Sequence, residues 1–294
     1  MSDHIIRAIA PGVRIVAAIT TGIVEKARKR HNCSPLATAA LGRTMTAALL
    51  LAETIKGDES ITVRVAGDGP LGNIVADTPT RHFVRGYVHN PGVDLPAVNG
   101  KLAVGDGVGR GMLYVTRFNP QREVFTGTVE LVSGEIAEDI TQYLLESEQI
   151  PSTVGLGVLV GQDGHVTGAG GFLVQAMPDA TGDILSNIEQ NLPLVSSPSH
   201  LAMEGVSAAG MVRLLLTGLS GGTVYEPEPI SFKCTCSRER VAAMIKGLGE
   251  NEISDMISEG KAEVRCNFCN ELYQFSEPEL IEIRNHSNDN SNEN

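Results

Sequence analysis

Two short cysteine pairs, Cys234-Thr235-Cys236 and Cys266-Asn267-Phe268-Cys269, hold four of the five cysteines in this 294-residue chain. Close-spaced pairs far apart in sequence are the ordinary arrangement for a four-thiolate zinc site. Each pair supplies two vertices of a tetrahedron, and the 29 residues between them close the loop. Such a site constrains the fold strongly, because both stretches must return to one point. A unit of about fifty residues has little core of its own, so metal binding and folding become coupled. Two other readings of Cys234-x-Cys236 stand beside this one: a disulfide, or a pair of buried thiols.

The compartment bears on that choice. The apolar stretch from Ile5 to Val24 is interrupted by Arg7, Arg14 and the Thr20-Thr21 pair, so it lacks the continuous core of a signal peptide or membrane helix. The expected location is the cytoplasm, with no membrane partner. There, structural disulfides are rare and clustered cysteines point to metal or redox chemistry. A net charge of -12 argues against a nucleic-acid partner, and the module itself is acidic: Phe232 to His286 carries seven Lys or Arg against ten Asp or Glu.

Hydrophobic periodicity and the cysteine pairs divide the chain into an expected α+β core domain at 1–178, a helical, conformationally labile linker at 179–230, a zinc-binding domain at 231–286 and a disordered tail at 287–294. In the core domain, strand patterns at Val13 to Thr20, Ile61 to Ala66, His82 to His89, Gly111 to Phe118, Glu123 to Val132, Thr153 to Val160 and His165 to Met177 outnumber two helices. Short turns between the strands favour hairpins, hence a mostly antiparallel sheet core. The first helix spans 34–55, with Ser34 as cap and Pro35 in the first helical position; the second runs from about Glu135 to Ser147. Glycine-rich "GDGVGRG" (105–111) and "GLGVLVG" (155–161) do not lead from a strand into a helix N-terminus, so they read as turns and bulges rather than phosphate loops. Cys33 sits in a helix-entry turn near His31. With no third group placed to orient the histidine, it reads as a quiet thiol.

The linker carries fifteen Ile, Leu, Met and Val residues between Ile184 and Leu219, in three short helical patterns: Asp183 to Leu192, Ser199 to Val206 and Ala208 to Leu219. Helices this short are marginal in water, so their apolar residues need a partner surface. In the C-terminal module, Ser237 caps an expected helix to about Leu248, a second follows at Glu252 to Ser258, and "SEPE" at 276–279 has capping-box spacing before "LIEIRNH".

Redox chemistry follows from metal geometry. Ligands around a four-coordinate zinc lie about 3.8 Å apart, against about 2.05 Å in a disulfide, so the two states exclude each other. A C-x-C disulfide also requires a bent backbone, since residues i and i+2 of an extended chain lie about 6.6 Å apart. The residues read as a metal half-site when reduced and a disulfide when oxidised.

The stretches "FKCTCSRER" and "CNFC", together with "ITVRVAGDGPLG", "ESEQIPS" and "GAGGFLVQAMPDA", resemble the bacterial 33 kDa chaperonin family, the redox-regulated holdases. The resemblance implies one Zn2+ per chain in a reduced, inactive form, held by Cys234, Cys236, Cys266 and Cys269. It implies disulfides Cys234 to Cys236 and Cys266 to Cys269 in an oxidised, zinc-free form whose linker unfolds. The active form would be a homodimer that holds unfolding client proteins without ATP, and not an enzyme. Candidate client-binding residues in the linker are Ile184, Leu185, Ile188, Leu192, Leu201, Met211, Leu214, Leu215 and Leu219. Two alternatives stand: a thiol-disulfide oxidoreductase, which would turn over a disulfide substrate, and a constitutive zinc-stabilised protein-binding module, which would bind equally well when reduced.

Overall fold

The structure, a computed structural model, describes residues 2–289 apart from Lys56, Asp58, Asn99 and 120–123. It divides into two compact units, Met1–Lys233 and Cys234–Asn294.

The larger unit is built on two sheets. Strands β1 (His4–Ala10), β2 (Val13–Ile19), β3 (Ser60–Gly67), β4 (Ile74–Thr80), β5 (Phe83–Val88), β6 (Gly111–Phe118), β7 (Phe125–Glu130), β8 (Ser152–Val160) and β9 (Val166–Ala176) are joined by the two-residue strands β10 (Thr223–Val224), β11 (Glu228–Pro229) and β12 (Ser231–Phe232). The first sheet runs β10-β1-β2-β9-β8, with β11 also on β1; the second runs β12-β5-β4-β3-β6-β7. All pairings are antiparallel except β12 with β5. The chain is therefore α+β with a mostly antiparallel core.

Helices α1 (Thr21–His31), α2 (Pro35–Ala52), α3 (Val104–Val108) and α4 (Ala137–Glu146) belong to the same unit. The expected cap is present: the Ser34 hydroxyl accepts from the Ala37 N–H at 3.1 Å, with Pro35 in the first turn. Helix α2 packs on β3, β4 and β5 of one sheet and on β2, β8 and β9 of the other. A helix covered on all sides must be apolar all round. It is therefore also apolar and long enough to cross a membrane by composition, yet 89% of it is buried inside the protein.

The free face of the first sheet is covered by the segment expected as linker. Along β1 and β2 the residues Ile6, Ala8, Ala10, Val13, Ile15, Ala17 and Ile19 alternate onto one face. Helices α5 (Gly182–Asn191), α6 (Pro198–Met203) and α7 (Ala208–Leu215) lay Ile188, Met211, Val212 and Leu215 against them. Two glycines permit the closest approach. A Cβ on Gly168 would fall 2.2 Å from the Ser199 carbonyl oxygen, and one on Gly157 would fall 2.8 Å from the Ser199 nitrogen. Asn191 ties the layer together, its amide donating to the carbonyls of Leu215 (3.0 Å) and Thr217 (2.8 Å). His4 of β1 accepts the Ala208 N–H at 3.1 Å. Beyond α7, Glu228 of β11 pairs with Arg7 at 3.0 Å and lies 3.1 Å from His82.

Several expectations shift. Helix α1 and strands β1 and β4 were not anticipated. Helix α7 ends at Leu215, with Gly218 in the left-handed region just beyond. The helix expected from Ser199 to Val206 is α6, which opens one residue earlier at Pro198, since the first turn needs no N–H from it, and ends at Met203. "GDGVGRG" includes most of α3, and "GLGVLVG" lies largely within β8, whose register slips only near Leu159. The strand expected from Glu123 is observed from Phe125, with 120–123 outside the described residues.

The smaller unit consists of helices α8 (Arg238–Lys246), α9 (Glu250–Ser258) and α10 (Glu277–Asp289) with a hairpin of β13 (Lys261–Arg265) and β14 (Leu272–Ser276). Its core is small: Val241, Ile245, Ile253, Ala262, Phe275 and Leu280. Both expected caps form. The Ser237 hydroxyl accepts from the Arg240 N–H at 3.3 Å, and Glu279 reaches back to the Ser276 N–H at 2.9 Å. The expected disordered tail began at 287; α10 runs on through Asp289, and 290–294 lie outside the described residues.

Candidate metal centre

Cys234 and Cys236 lie on the irregular stretch between β12 and α8, while Cys266 and Cys269 flank the turn of the β13–β14 hairpin. The turn is closed by backbone hydrogen bonds. The Cys266 N–H donates to Glu271 O at 2.9 Å, the Asn270 N–H donates to Cys266 O at 2.7 Å, and Asn270 adopts a left-handed φ of 59°. An asparagine tolerates that conformation better than most residues. Around the first pair, the Arg240 guanidinium donates to Thr235 O at 2.8 Å. Arg238 pairs with Glu279 at 2.6 Å while stacking over the Phe275 ring at 4.3 Å. The charges of "SRER" thus anchor the C-x-C segment and the start of α10.

These local devices bring all four sulfurs within 4.8 Å of one another. The contacts Cys234–Cys266 at 3.7 Å and Cys236–Cys269 at 3.3 Å each join one member of either pair. Both are close to the edge of about 3.8 Å for a tetrahedron of thiolates around zinc, and none of the four cysteines is in a disulfide. Cys269 is buried and the other three are half-buried.

The sulfurs also have donors. Cys266 accepts backbone N–H groups of Cys269 and Phe268, and Cys269 accepts that of Glu271. The Tyr273 hydroxyl donates to the Cys236 sulfur at 3.2 Å. Burial pushes the Cys266 and Cys269 thiols above their ordinary range, and neighbouring sulfurs push Cys269 further. Four thiolates this close ionise together only around a cation, which offsets both burial and mutual repulsion. The donor set and its spacing fit a soft or borderline divalent ion.

The remaining candidates lie elsewhere. Cys33 is buried in the larger unit, between α1 and α2, where burial pushes its thiol up to about 12. Of the linker candidates, Ile188, Met211 and Leu215 are buried on the first sheet. Ile184, Leu185, Leu192, Leu201, Leu214 and Leu219 are partly buried against the same cluster. Sequence reasoning missed Tyr273. Its only signal is a place on a strand four residues after Cys269, and that does not show which sulfur it meets.

Comparison with known proteins places this architecture. The family described as "Hsp33 protein" matches residues 3–276. A "33 kDa chaperonin" of Symbiobacterium thermophilum is 48% identical over 289 residues, 97% of this chain and 98% of that one. The Bacillus subtilis (strain 168) protein of the same name is 45% identical over 287 residues, covering 96% and 98%. The crystal structure of the Thermotoga maritima 33 kDa chaperonin superposes with a TM-score of 0.89 at 37% identity, covering 97% of this chain and 99% of that one.

Proposed function

Because this chain belongs to the Hsp33 family, we propose that it is a redox-regulated, ATP-independent chaperone of the cytoplasm, inactive when reduced and able to hold unfolding proteins when oxidised. The observation that carries the reading is the convergence of four thiols within 4.8 Å, in a unit whose buried core is six residues. Cys234, Cys236, Cys266 and Cys269 would hold one zinc, which when bound keeps the four sulfurs as thiolates and cross-links the module.

On exposure to a peroxide, each pair of thiolates gives up two electrons, one S–S bond forms, and the peroxide is reduced to two hydroxides that take protons from solvent. The pairs are Cys234 with Cys236 and Cys266 with Cys269. The thiolate ligand set no longer exists after that change, and the small core cannot keep the module folded. Joining Cys234 to Cys236 must also draw sulfurs that lie within 4.8 Å of one another to disulfide length, only two residues beyond β12.

In this reading residues 179–230 are the responding element. Their strands β10 and β11 are two residues long and their helices are short, so little local structure resists undocking. Undocking exposes Ile184, Leu185, Ile188, Leu192, Leu201, Met211, Leu214, Leu215 and Leu219 together with the sheet face beneath them. That apolar surface is what an unfolding client would meet, or a second copy in an active homodimer.

The test follows zinc release with a chromogenic chelator and light scattering of a heat-unfolding client in one sample during peroxide oxidation. Loss of zinc and suppression of scattering should rise together, with no turnover of a disulfide substrate. Equal protection by reduced and oxidised protein would overturn the switch, and steady disulfide turnover would favour an oxidoreductase.

A further inference from the structure

Among the sulfur contacts of the cluster, one stands apart in kind. Cys266 and Cys269 are hydrogen-bonded by main-chain N–H groups of their own turn, which come with any C-x-x-C knuckle. The bond to Cys236 comes instead from a side chain, the hydroxyl of Tyr273, at 3.2 Å. Tyr273 is the only tyrosine in the smaller unit. It sits on β14 opposite Val264, with its half-buried ring against the core around Phe275. The hairpin register, set by five paired positions, aims the hydroxyl back past the turn at the sulfur of the other cysteine pair.

From this geometry we propose that Tyr273 is a positioning residue that restrains the nucleophilicity of Cys236 and so sets how readily the Cys234–Cys236 pair oxidises. The proposal rests on the reading of the cluster as a redox-sensitive thiolate site. A thiolate attacks a peroxide through a sulfur lone pair. In the first step the Cys236 sulfur bonds to one peroxide oxygen, the O–O bond breaks, hydroxide leaves, and Cys236 becomes a sulfenic acid. In the second, the Cys234 thiolate attacks that sulfur, the S–O bond breaks, a second hydroxide leaves, and the disulfide forms. Two thiolates and one peroxide thus give one disulfide and two hydroxides. An O–H donor on Cys236 stabilises the negative sulfur before reaction and loses its partner as that charge is spent. The bond therefore slows the first step.

The experiment uses full-length, zinc-loaded wild type and Tyr273→Phe, treated with hydrogen peroxide. Samples are quenched at intervals by differential alkylation, and each cysteine peptide is quantified by mass spectrometry. Tyr273→Phe should lose Cys236 about three- to tenfold faster, the scale of one ordinary net hydrogen bond, because the bond is only partly lost when the sulfur attacks. Cys266 and Cys269 should react at wild-type rates in the earliest samples, and thermal unfolding of the zinc-loaded protein should shift by no more than the loss of one hydrogen bond. An unaltered Cys236 rate would overturn the proposal. So would equal acceleration of all four cysteines with a lowered unfolding temperature, which would make the tyrosine a packing residue only. If wild type bound no zinc, the metal reading would fail by itself, and the ratio of Cys236 to Cys266 rates would still decide the role of Tyr273.

Discussion

The five cysteines of this chain occupy two chemical settings, and clustering rather than burial separates them, since Cys269 is as buried as Cys33. Cys33 is enclosed by the α1–α2 junction, and its thiol, pushed up to about 12, is protonated at any physiological pH and slow to attack an oxidant. The other four sulfurs share one small volume and three are half-exposed, so a bound cation would leave them ionised and within reach of an oxidant. Substitution should reflect this. Cys234→Ser, Cys236→Ser, Cys266→Ser or Cys269→Ser should each take zinc content from about one per chain towards none, because a three-thiolate remnant leaves the tetrahedron open. Cys33→Ser should retain the metal, and Cys33 should stay unmodified while peroxide consumes the cluster. Metal analysis of the five purified variants checks the first outcome. Zinc lost from Cys33→Ser and kept by Cys236→Ser would reverse the assignment.

Among the elements, α6 shows how backbone proximity controls docking. Its first turn lies directly on β8 and β9, where Gly157 and Gly168 present no side chain. Gly168→Ala would place a methyl group 2.2 Å from the Ser199 carbonyl oxygen, an obstacle of main chain that cannot swing aside. Helix α6 must then lift. The cost should be about 1–3 kcal/mol, as for other overpacked sites. Denaturant unfolding of the reduced protein measures it, and hydrogen exchange should locate the loss of protection at 182–219 rather than in β3 to β6. An unchanged unfolding midpoint would mean that α6 makes room at no cost.

At the scale of the molecule, the compact division falls between Lys233 and Cys234, so the segment expected as a labile linker is packed inside the larger unit. Its hold on that unit is an apolar interface centred on Met211, Val212 and Leu215, each fully buried against β1 and β2. Leu215→Glu sets an unpaired carboxylate in that interface. Left buried it would cost about 3–5 kcal/mol, more than short helices can absorb, so the segment should undock instead. Reduced Leu215→Glu is then expected to lose exchange protection across 184–219 and to suppress client aggregation to a substantial fraction of the oxidised wild-type level. Light scattering of one client with reduced wild type, oxidised wild type and reduced Leu215→Glu decides it. A variant that undocks yet protects no client would separate linker exposure from chaperone action.

What the sequence by itself determined here is local chemistry. Ser34, Ser237 and Ser276 mark helix starts because capping joins groups only three residues apart, and the two cysteine pairs point to a four-sulfur cluster because the members of each pair are one or two residues apart. The α2 composition, with Arg43 its one charged residue, fits a helix buried on nearly all sides. Helix α1 escaped notice because only Ile23, Val24 and Ala27 face inward, too few for a clear period beside its basic residues. The two-sheet arrangement, the docking of α6 on Gly157 and Gly168, and the bond from Tyr273 to Cys236 were decided only in the tertiary structure. Each depends on which distant segments meet and in what register. That choice is made by the packing of whole faces, where a shift of one residue along β14 would turn Tyr273 to the opposite side of the hairpin.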